Sequence, residues 1–360
     1  MPRLLVTGGA GFIGVNFVHH WLRAHPGDRV VVLDALTYAG CRASLDPVRD
    51  HPGLSFVQGD IRDRALAESL LRAEAIDTIV HFAAESHVDR SITGPDAFID
   101  TNVVGTHALL KAARRVWLEE GGGRPHRFHH VSTDEVYGSL GPDDPGFSET
   151  TPYAPNSPYS ASKAGSDHLV RAYHHTYGLA TTISNCSNNY GPYQFPEKLI
   201  PLMTIHALTG KPLPVYGDGL NVRDWLHVED HCRAIELILE RGRPGETYNV
   251  GGDGERNNRE VVARLCEALD ARFAAEPALA RRFPQAPAAS GQPTASAIRY
   301  VTDRPGHDRR YAIDARKIRS ELGFAPRWTF ERGLGATLEW YLAHEPWWTA
   351  LLQRAQVQRL

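Results

Sequence analysis

The chain has 360 residues, with 39 Lys and Arg against 42 Asp and Glu, 42% hydrophobic residues and four cysteines. This composition excludes a disordered, collagen-like or disulfide-built chain, and the length favours one large domain with a smaller one beside it. A formal net charge of −3 offers no general attraction to nucleic acid or anionic lipid, so we expect neither as a partner. Widely separated cysteines, no signal peptide and no long apolar stretch predict a cytoplasmic protein without a membrane span.

The first half of the chain alternates apolar strands with amphipathic helices. Strands are predicted over residues 4–7, 30–33, 55–57, 78–82, 128–132 and 181–185, and helices over residues 13–24, 65–74, 98–118 and 162–177. This alternation is typical of right-handed crossovers in a parallel sheet. We therefore predict an α/β fold, a Rossmann-type doubly wound parallel sheet with a smaller C-terminal substrate-binding domain.

A glycine-rich turn joins the first predicted strand to the first helix. It reads GGAGFIG over residues 8–14, and its G-x-G-x-x-G spacing lets a pyrophosphate reach the backbone at a helix N-terminus, because the Cβ atoms are missing. Asp34 lies 20 residues beyond Gly14 at the end of the second strand, where a carboxylate binds a ribose diol and repels a 2′-phosphate. The pattern predicts NAD rather than NADP as the cofactor. Asp60 and Ile61, after the third strand, are expected near the adenine.

The predicted NAD-binding Rossmann domain spans residues 1–190, and residues of about 222–250 are expected to return to it. Residues 191–360 are predicted to form mainly the substrate-binding domain, whose loops are rich in Pro and Gly. Asn258 is predicted to cap a helix that buries an apolar face. Residues 271–297 hold ten Ala and four Pro, and we predict a flexible insertion there.

A tyrosine and a lysine lie four residues apart at the start of the helix after the fifth strand. Ser157 is predicted to cap this helix and Pro158 to be its first residue, so that Tyr159 lies in the first turn. Because positions i and i+4 share a helix face, the Lys163 ammonium is expected near the phenol and should lower the pKa of Tyr159, together with the helix dipole. Such a phenol can take a proton from an alcohol while NAD takes the hydride.

Thr133, Asp134 and Glu135 follow the fifth predicted strand. Ligands of open α/β sheets bind beyond the carboxyl ends of the strands, so these side chains should face the crevice that receives the nicotinamide. Their spacing alone says that both acids are nearby and assigns neither of them a role.

These motifs resemble the extended short-chain dehydrogenase/reductase family, through residues 8–14, Thr133 and the YSASK run over residues 159–163. The Thr133-Asp134-Glu135 run is similar to the mark of the dTDP-glucose 4,6-dehydratase branch of that family. The similarity covers nearly the whole chain, since it continues through residues 86–92, 188–194, 223–225 and 303–308.

The resemblance implies oxidation of dTDP-glucose at carbon 4, loss of water across carbons 5 and 6, and return of the hydride to carbon 6, which gives dTDP-4-keto-6-deoxyglucose. The ketone makes the hydrogen on carbon 5 acidic, so the elimination needs a base and an acid. The resemblance gives these roles to Glu135 as base and to Asp134, kept protonated by burial or a neighbouring charge, as acid. The implied catalytic residues are Thr133, Asp134, Glu135, Tyr159 and Lys163.

Motifs and resemblance together give the residues expected to bind the two ligands. Those expected to bind NAD are Gly8, Gly11, Phe12, Ile13, Gly14, Asp34, Leu36, Thr37, Asp60, Ile61, Ala83, Ala84, Ser86, Thr101, Tyr159, Lys163 and Asn189. Those expected to bind the nucleotide sugar are Ser86, His87, Thr133, Asp134, Glu135, Asn188, Lys198, Leu199, Pro214, Val215, Tyr216, Arg223, Asn258, Asp303, Arg304 and His307. As in dimers of this family, the helices over residues 98–118 and 162–177 are expected to pack against a second copy.

Other functions share much of this pattern. A nucleotide-sugar 4-epimerase or a uronate decarboxylase would keep the cofactor site and the Tyr159-Lys163 pair, but neither needs an acid pair to eliminate water. A non-catalytic NAD-binding protein would not need Thr133, Tyr159 and Lys163. Adjacent histidines such as His19 and His20 do not share a helix face, so no metal centre is expected.

Overall fold

The computed structural model describes residues 1–357. Its strands are β1 (Arg3–Thr7), β2 (Arg29–Asp34), β3 (Leu54–Gln58), β4 (Thr78–His81), β5 (Arg127–Thr133), β6 (Thr181–Cys186), β7 (Asn188–Tyr190), β8 (Leu213–Tyr216), β9 (Val222–Arg223), β10 (Trp225–His227), β11 (Thr247–Val250), β12 (Arg256–Asn257) and β13 (Ile298–Val301). Seven of them form a parallel sheet in the order β11-β6-β5-β4-β1-β2-β3.

Helices cover both faces of this sheet. The α-helices are α1 (Phe12–Ala24), α2 (Arg64–Ala73), α3 (Val88–Thr93), α4 (Asp96–Phe98), α5 (Thr106–Ala113), α6 (Pro158–Tyr177), α7 (Leu199–Leu208), α8 (Val228–Arg241), α9 (Asn258–Ala275), α10 (Ala278–Arg282), α11 (Arg316–Leu322), α12 (Phe330–Ala343) and α13 (Glu345–Val357). One apolar core lies under α1 and α8, and another lies under α2, α5 and α6. Within residues 1–357, every helix is too short or too polar to span a lipid bilayer.

The predicted fold class is confirmed, because the six predicted strands correspond to β1–β6 with ends that differ by at most one residue. The near-continuous apolar runs of β1 and β2 are buried on both faces; Val30–Leu33 in β2 is almost fully buried. The predicted helix over residues 98–118 is less regular than expected. It contains two π-helical stretches, Ile99–Gly105 and Arg114–Glu120, on either side of α5.

The strand order places a crevice beside β1. This strand pairs with β2 on one side and with β4 on the other, so successive crossovers run in opposite directions from it. Ligands of doubly wound sheets bind beyond the carboxyl ends of the strands at such a reversal. The glycine turn follows β1, and residues 83–87 follow β4, so both approach this crevice.

Most residues beyond β6 form a second lobe around its own apolar core. Three two-stranded sheets, β7 with β10, β8 with β13 and β9 with β12, are joined to α7, α9, α12 and α13. The chain also returns to the main lobe, because β11 pairs with β6 and α8 packs on α1.

Residues 271–297, predicted to form a flexible insertion, are instead folded onto the core of the second lobe. After α9 and α10, two 3₁₀ turns follow at Pro287–Ser290 and Thr294–Ala297. Leu279 and Phe283 are buried in the same core as α9. The high Ala and Pro content concealed these large apolar anchors, which is why the sequence prediction was wrong here.

The start of α9 also differs from the prediction by one residue. Asn257 caps the helix, because its side-chain oxygen accepts the Glu260 amide at 2.9 Å while the Glu260 carboxylate accepts the Asn257 amide at 3.2 Å. Asn258 is the first helical residue. The two adjacent asparagines are indistinguishable by propensity, and the Glu three residues later identifies Asn257 as the cap.

Candidate active site

A cavity opens at the carboxyl ends of β1, β4 and β5, and the glycine turn forms part of its wall. Gly8 has a φ of +70°, which favours glycine. A Cβ atom on Gly14 would lie 2.2 Å from the carbonyl oxygen of Gly8, so no larger residue fits there without displacing the turn. The turn therefore depends on both glycines.

The N-terminus of α1 faces the cavity directly behind this turn. Gly11 precedes the helix, no side chain accepts hydrogen bonds from its first amides, and the first turn has no acidic residue. Phe12 and Ile13 line the cavity. Unpaired amides and the positive end of the helix dipole bind phosphate oxygens well, so the turn fits the pyrophosphate of a dinucleotide.

Asp34 lies in the cavity wall at the end of β2. Its two carboxylate oxygens accept the backbone amides of Ala10 at 2.9 Å and Leu36 at 2.8 Å. Burial raises the pKa of Asp34, and these two amides oppose the rise. Each carboxylate oxygen has a further lone pair, so the fixed side chain can still accept hydrogen bonds from a ribose diol.

Tyr159 and Lys163 both line the cavity from the first two turns of α6, which begins at Pro158 with Ser157 as its cap, as predicted. The Lys163 ammonium was expected near the phenol of Tyr159, but Lys163 Nζ donates its hydrogen bond to Val131 O at 2.8 Å. Burial and then the neighbouring Glu135 carboxylate raise the pKa of Tyr159. The predicted lowering of this pKa is therefore wrong.

A buried polar network, which no sequence motif predicted, lies behind Lys163. His130 Nε2 lies 3.4 Å from Lys163 Nζ and 3.2 Å from Asp167 Oδ1. Ser132 and Tyr153 donate to the other carboxylate oxygen of Asp167, at 2.8 Å and 3.1 Å. Burial raises the pKa of Asp167 to about 6 and lowers the pKa of Lys163. The network fixes the lysine at the back of the cavity.

Asp134 and Glu135 begin the 3₁₀ turn after β5, and both line the cavity together with Thr133. Asp134 is 1% exposed, and its Oδ2 atom has no hydrogen-bond partner. Burial raises the pKa of Asp134 well above its usual value, and the Glu135 and Asp224 charges add to the rise. The protonated form of Asp134 is therefore favoured, as expected of a general acid.

Three cations surround Glu135, which is only partly buried. Burial raises the pKa of Glu135, and the positive charges of Arg304, Lys198 and Arg223 oppose the rise. Arg304 Nη1 also pairs with Asp89 at 3.1 Å. Asp134 and Glu135 are adjacent in sequence but have different surroundings. The positive charge beside Glu135 suits the diphosphate of a nucleotide sugar.

The structure brings most of the predicted NAD contacts to one cavity. Those in its wall are Gly8, Gly11, Phe12, Ile13, Gly14, Asp34, Thr37, Asp60, Ile61, Ala83, Ala84, Ser86, Thr101, Tyr159, Lys163 and Asn189. Leu36 is not in the wall; its amide instead fixes Asp34.

The predicted substrate contacts divide into two groups. Those in the cavity wall are Ser86, Thr133, Asp134, Glu135, Asn188 and Lys198. Those outside it are His87, Leu199, Pro214, Val215, Tyr216, Arg223, Asn258, Asp303, Arg304 and His307. Apart from His87, the second group belongs to the second lobe, and its role in binding stays a prediction.

Several wall residues were not predicted, among them Tyr38, Cys186, Phe195 and Glu197. Tyr38 meets Phe195 edge to face, with ring centroids 5.4 Å apart. Glu197 lies 3.6 Å from His87. Phe195 and Glu197 lie within three residues after the motif of residues 188–194, and this position was an available signal. The irregular loop that carries Tyr38 gave none.

One group of metal-type donors, His25, Glu236 and Glu240, occurs among the described residues, and none of them lines the cavity. The rings of His20 and His25 each lie 2.7 Å from a different carboxylate oxygen of Glu236. These contacts join α1 to α8. The absence of a metal centre stays a prediction.

Comparison with known proteins agrees with this geometry. The family model described as GDP-mannose 4,6 dehydratase matches residues 5–337. A dTDP-glucose 4,6-dehydratase from Xanthomonas campestris pv. campestris is 59% identical over 352 residues, which are 96% of this chain and 95% of the relative.

Two solved structures are also similar. A dTDP-glucose 4,6-dehydratase from Streptomyces venezuelae with NAD and dTDP bound is 51% identical, with a TM-score of 0.86 and coverage of 97% of this chain and 99% of that one. The enzyme of that name from Bacillus anthracis, in complex with NAD, is 47% identical, with a TM-score of 0.84 and coverage of 98% and 100%.

Proposed function

The chain belongs to the dTDP-glucose 4,6-dehydratase family, and we propose that it removes water from dTDP-glucose to give dTDP-4-keto-6-deoxyglucose, a deoxysugar precursor. The observation that carries this function is the pair Asp134 and Glu135 in the cavity that also contains Tyr159 and the glycine turn. Oxidation of an alcohol needs the cofactor, Tyr159 and Lys163, but no acid pair. The acid pair adds the base and the acid of an elimination.

NAD fits the cavity through several residues of its wall. The first amides of α1 would bind the pyrophosphate and Asp34 the adenosine ribose, while Tyr159 lies in the same cavity beside Thr133. When bound, NAD brings a positive ring charge that favours the phenolate, takes a hydride from carbon 4 of the sugar and later returns it to carbon 6. The cofactor is therefore not consumed.

The protein residues move the protons. Tyr159 takes the proton of the hydroxyl on carbon 4. Glu135 then takes the proton from carbon 5, and the protonated Asp134 gives its proton to the hydroxyl on carbon 6, which leaves as water. Glu135 returns its proton to carbon 5 in the last step. The proton left on Tyr159 replaces the one that Asp134 has given, so the site ends as it began.

The cations near Glu135 support a substrate that carries a nucleotide diphosphate group. Lys198 lies in the cavity wall, and Arg223 and Arg304 lie close enough to oppose the rise in the pKa of Glu135. A guanidinium pairs with phosphate in a bidentate manner, which fixes the sugar relative to the acid pair. The choice of thymine as the base rests on the relatives alone.

The alternative functions leave features of the site without a use. A 4-epimerase or a uronate decarboxylase would need the cofactor, Tyr159 and Lys163, but not a buried acid held in its protonated form. A protein that only binds NAD would need neither the Tyr159-Lys163 pair nor the buried acid. The presence of the buried Asp134 beside Glu135 in the cavity therefore favours the dehydratase.

The product of dTDP-glucose tests this function. We expect the protein, incubated with dTDP-glucose and NAD, to form a product lighter by one water, with no net reduction of NAD, as measured by mass spectrometry and absorbance. A product of unchanged mass would indicate an epimerase, and no product from any nucleotide sugar would indicate a binding protein. Tyr159→Phe should abolish turnover, whereas Tyr300→Phe, at a residue 58% exposed, should retain it.

We further propose a homodimer that works in the cytoplasm. Ile99 is 46% exposed and Val104 is 49% exposed on the helical layer between α4 and α5, which gives apolar surface for a second copy. The four cysteines are free thiols, as a reducing compartment requires. Light scattering should give twice the mass of the chain, and Val104→Asp should reduce it to a single copy if this layer is the interface.

A further inference from the structure

The loop after β2 is held in place by the C-terminal helix. One nitrogen, Nη2 of Arg354 on α13, lies within hydrogen-bond distance of the carbonyl oxygens of Thr37 at 3.1 Å, Tyr38 at 2.8 Å and Gly40 at 2.7 Å. All three loop residues line the cavity. The negative ends of three carbonyl dipoles repel one another, so a cation at their meeting point stabilises this loop conformation.

The same loop encloses Asp34. Leu36, whose amide donates to Asp34 Oδ1, has a φ of +53°, a conformation that a leucine adopts only when its surroundings enforce it. A Cβ atom on Gly40 would lie 2.8 Å from the same carboxylate oxygen. The loop is therefore closed tightly over the carboxylate, and a shift of the loop would shift Asp34. The charge of Arg354 also opposes the rise in the pKa of Asp34 that burial causes.

The helix that carries Arg354 is itself well anchored. Trp348 and Leu351 are each 4% exposed, and Trp347 Nε1 donates to Ser44 Oγ at 2.9 Å, just beyond the loop. These contacts fix the position of α13, and with it the position of Arg354.

We propose that Arg354 is a positioning residue for the dinucleotide: by holding the carbonyl groups of Thr37, Tyr38 and Gly40 it sets Asp34 for the ribose of the adenosine half. The inference rests on the proposed NAD cofactor and not on the dehydration reaction. α13 then belongs to the cofactor site, although it lies at the opposite end of the sequence from β2.

Binding of NAD and of ADP-ribose to the full-length protein, freed of cofactor, tests this role. We expect Arg354→Ala to raise both Kd values about tenfold, as loss of charge-assisted hydrogen bonds at a partly exposed site predicts. Arg354→Lys should recover most of the affinity, because an ammonium offers three donors to three carbonyl oxygens. Arg354→Gln, which lacks the charge, should not. The Kd of dTDP should stay at the parent value.

Arg282→Ala is the matched control, because Arg282 pairs with Glu345 at the start of α13, at 2.8 Å, without touching the loop. It should lower the melting temperature without changing the Kd of NAD. The inference is overturned if Arg354→Ala, or Arg354→Gln should the Ala variant not fold, binds NAD like the parent. It is equally overturned if Arg354→Lys fails to restore NAD binding. The same holds if Arg282→Ala weakens NAD binding as much as Arg354→Ala does. If Arg354 controls NAD binding but the parent does not dehydrate dTDP-glucose, the reaction is wrong and the inference stands.

Discussion

Asp134→Asn should make the stability of the protein less sensitive to rising pH. In the folded protein the pKa of Asp134 is raised, first by burial, whereas an aspartic acid in the unfolded chain has a pKa of about 3.9. Above that value the unfolded chain releases this proton and the folded protein keeps it. The parent therefore loses stability as pH rises, until the carboxyl group ionises in the folded state.

The size of the effect follows from proton linkage. One proton held only by the folded state changes the free energy of unfolding by about 1.4 kcal/mol per pH unit. The Asn variant lacks this group, so the difference between variant and parent should shift in favour of the variant by up to about 2.7 kcal/mol from about pH 5 to about pH 7. The buried amide adds a penalty of about 1–3 kcal/mol, but that penalty does not depend on pH.

Urea unfolding of parent and variant at several pH values measures this difference, because titrating groups far from Asp134 contribute equally to both proteins and cancel. Asp50→Asn, at a side chain 93% exposed, is the matched control and should follow the parent at every pH. The assignment of a protonated Asp134 is refuted if parent and Asp134→Asn show parallel stability profiles. The variant should also eliminate water about 10²–10⁴-fold more slowly, because an amide cannot supply the proton.

Two further predictions address the turn and the corrected helix cap. Gly14→Ala should weaken NAD binding at least about tenfold, since the new methyl group would meet the Gly8 carbonyl oxygen at 2.2 Å; an unchanged Kd by calorimetry would contradict the role of the turn. Asn257→Ala should lower the free energy of unfolding by about 1 kcal/mol and Asn258→Ala by less than about 0.5 kcal/mol. Equal losses in urea unfolding would show that the cap is misassigned.

The main lobe was predictable because its signals are local. The apolar runs of β1 and β2 and the glycines of residues 8–14 each act within a few residues, so the sheet, the turn and the helix starts follow from the sequence. The order β4-β1-β2 then places the glycine turn beside residues 83–87. Neighbouring strands in the fold thereby bring distant motifs into one crevice.

The parts that sequence reasoning missed depend on long-range packing. Tyr38 and Arg354 are in contact although they lie 316 residues apart in the sequence, and no local pattern predicts that contact. The pKa of Tyr159 was predicted from its neighbour in the helix, whereas burial and the approach of Glu135 set it in the folded protein. Residues 271–297 fold because Leu279 and Phe283 reach an existing core, which their composition does not reveal.

The central claim is that Glu135 removes the proton from carbon 5 before water can leave. Single turnover of dTDP-glucose by Glu135→Gln, followed by rapid quenching and mass spectrometry, tests it directly, with reduced cofactor monitored in parallel by absorbance. We predict that the variant still oxidises carbon 4 but forms the dehydrated sugar about 10²–10⁴-fold more slowly than the parent. Water loss at the parental rate would show that another group is the base.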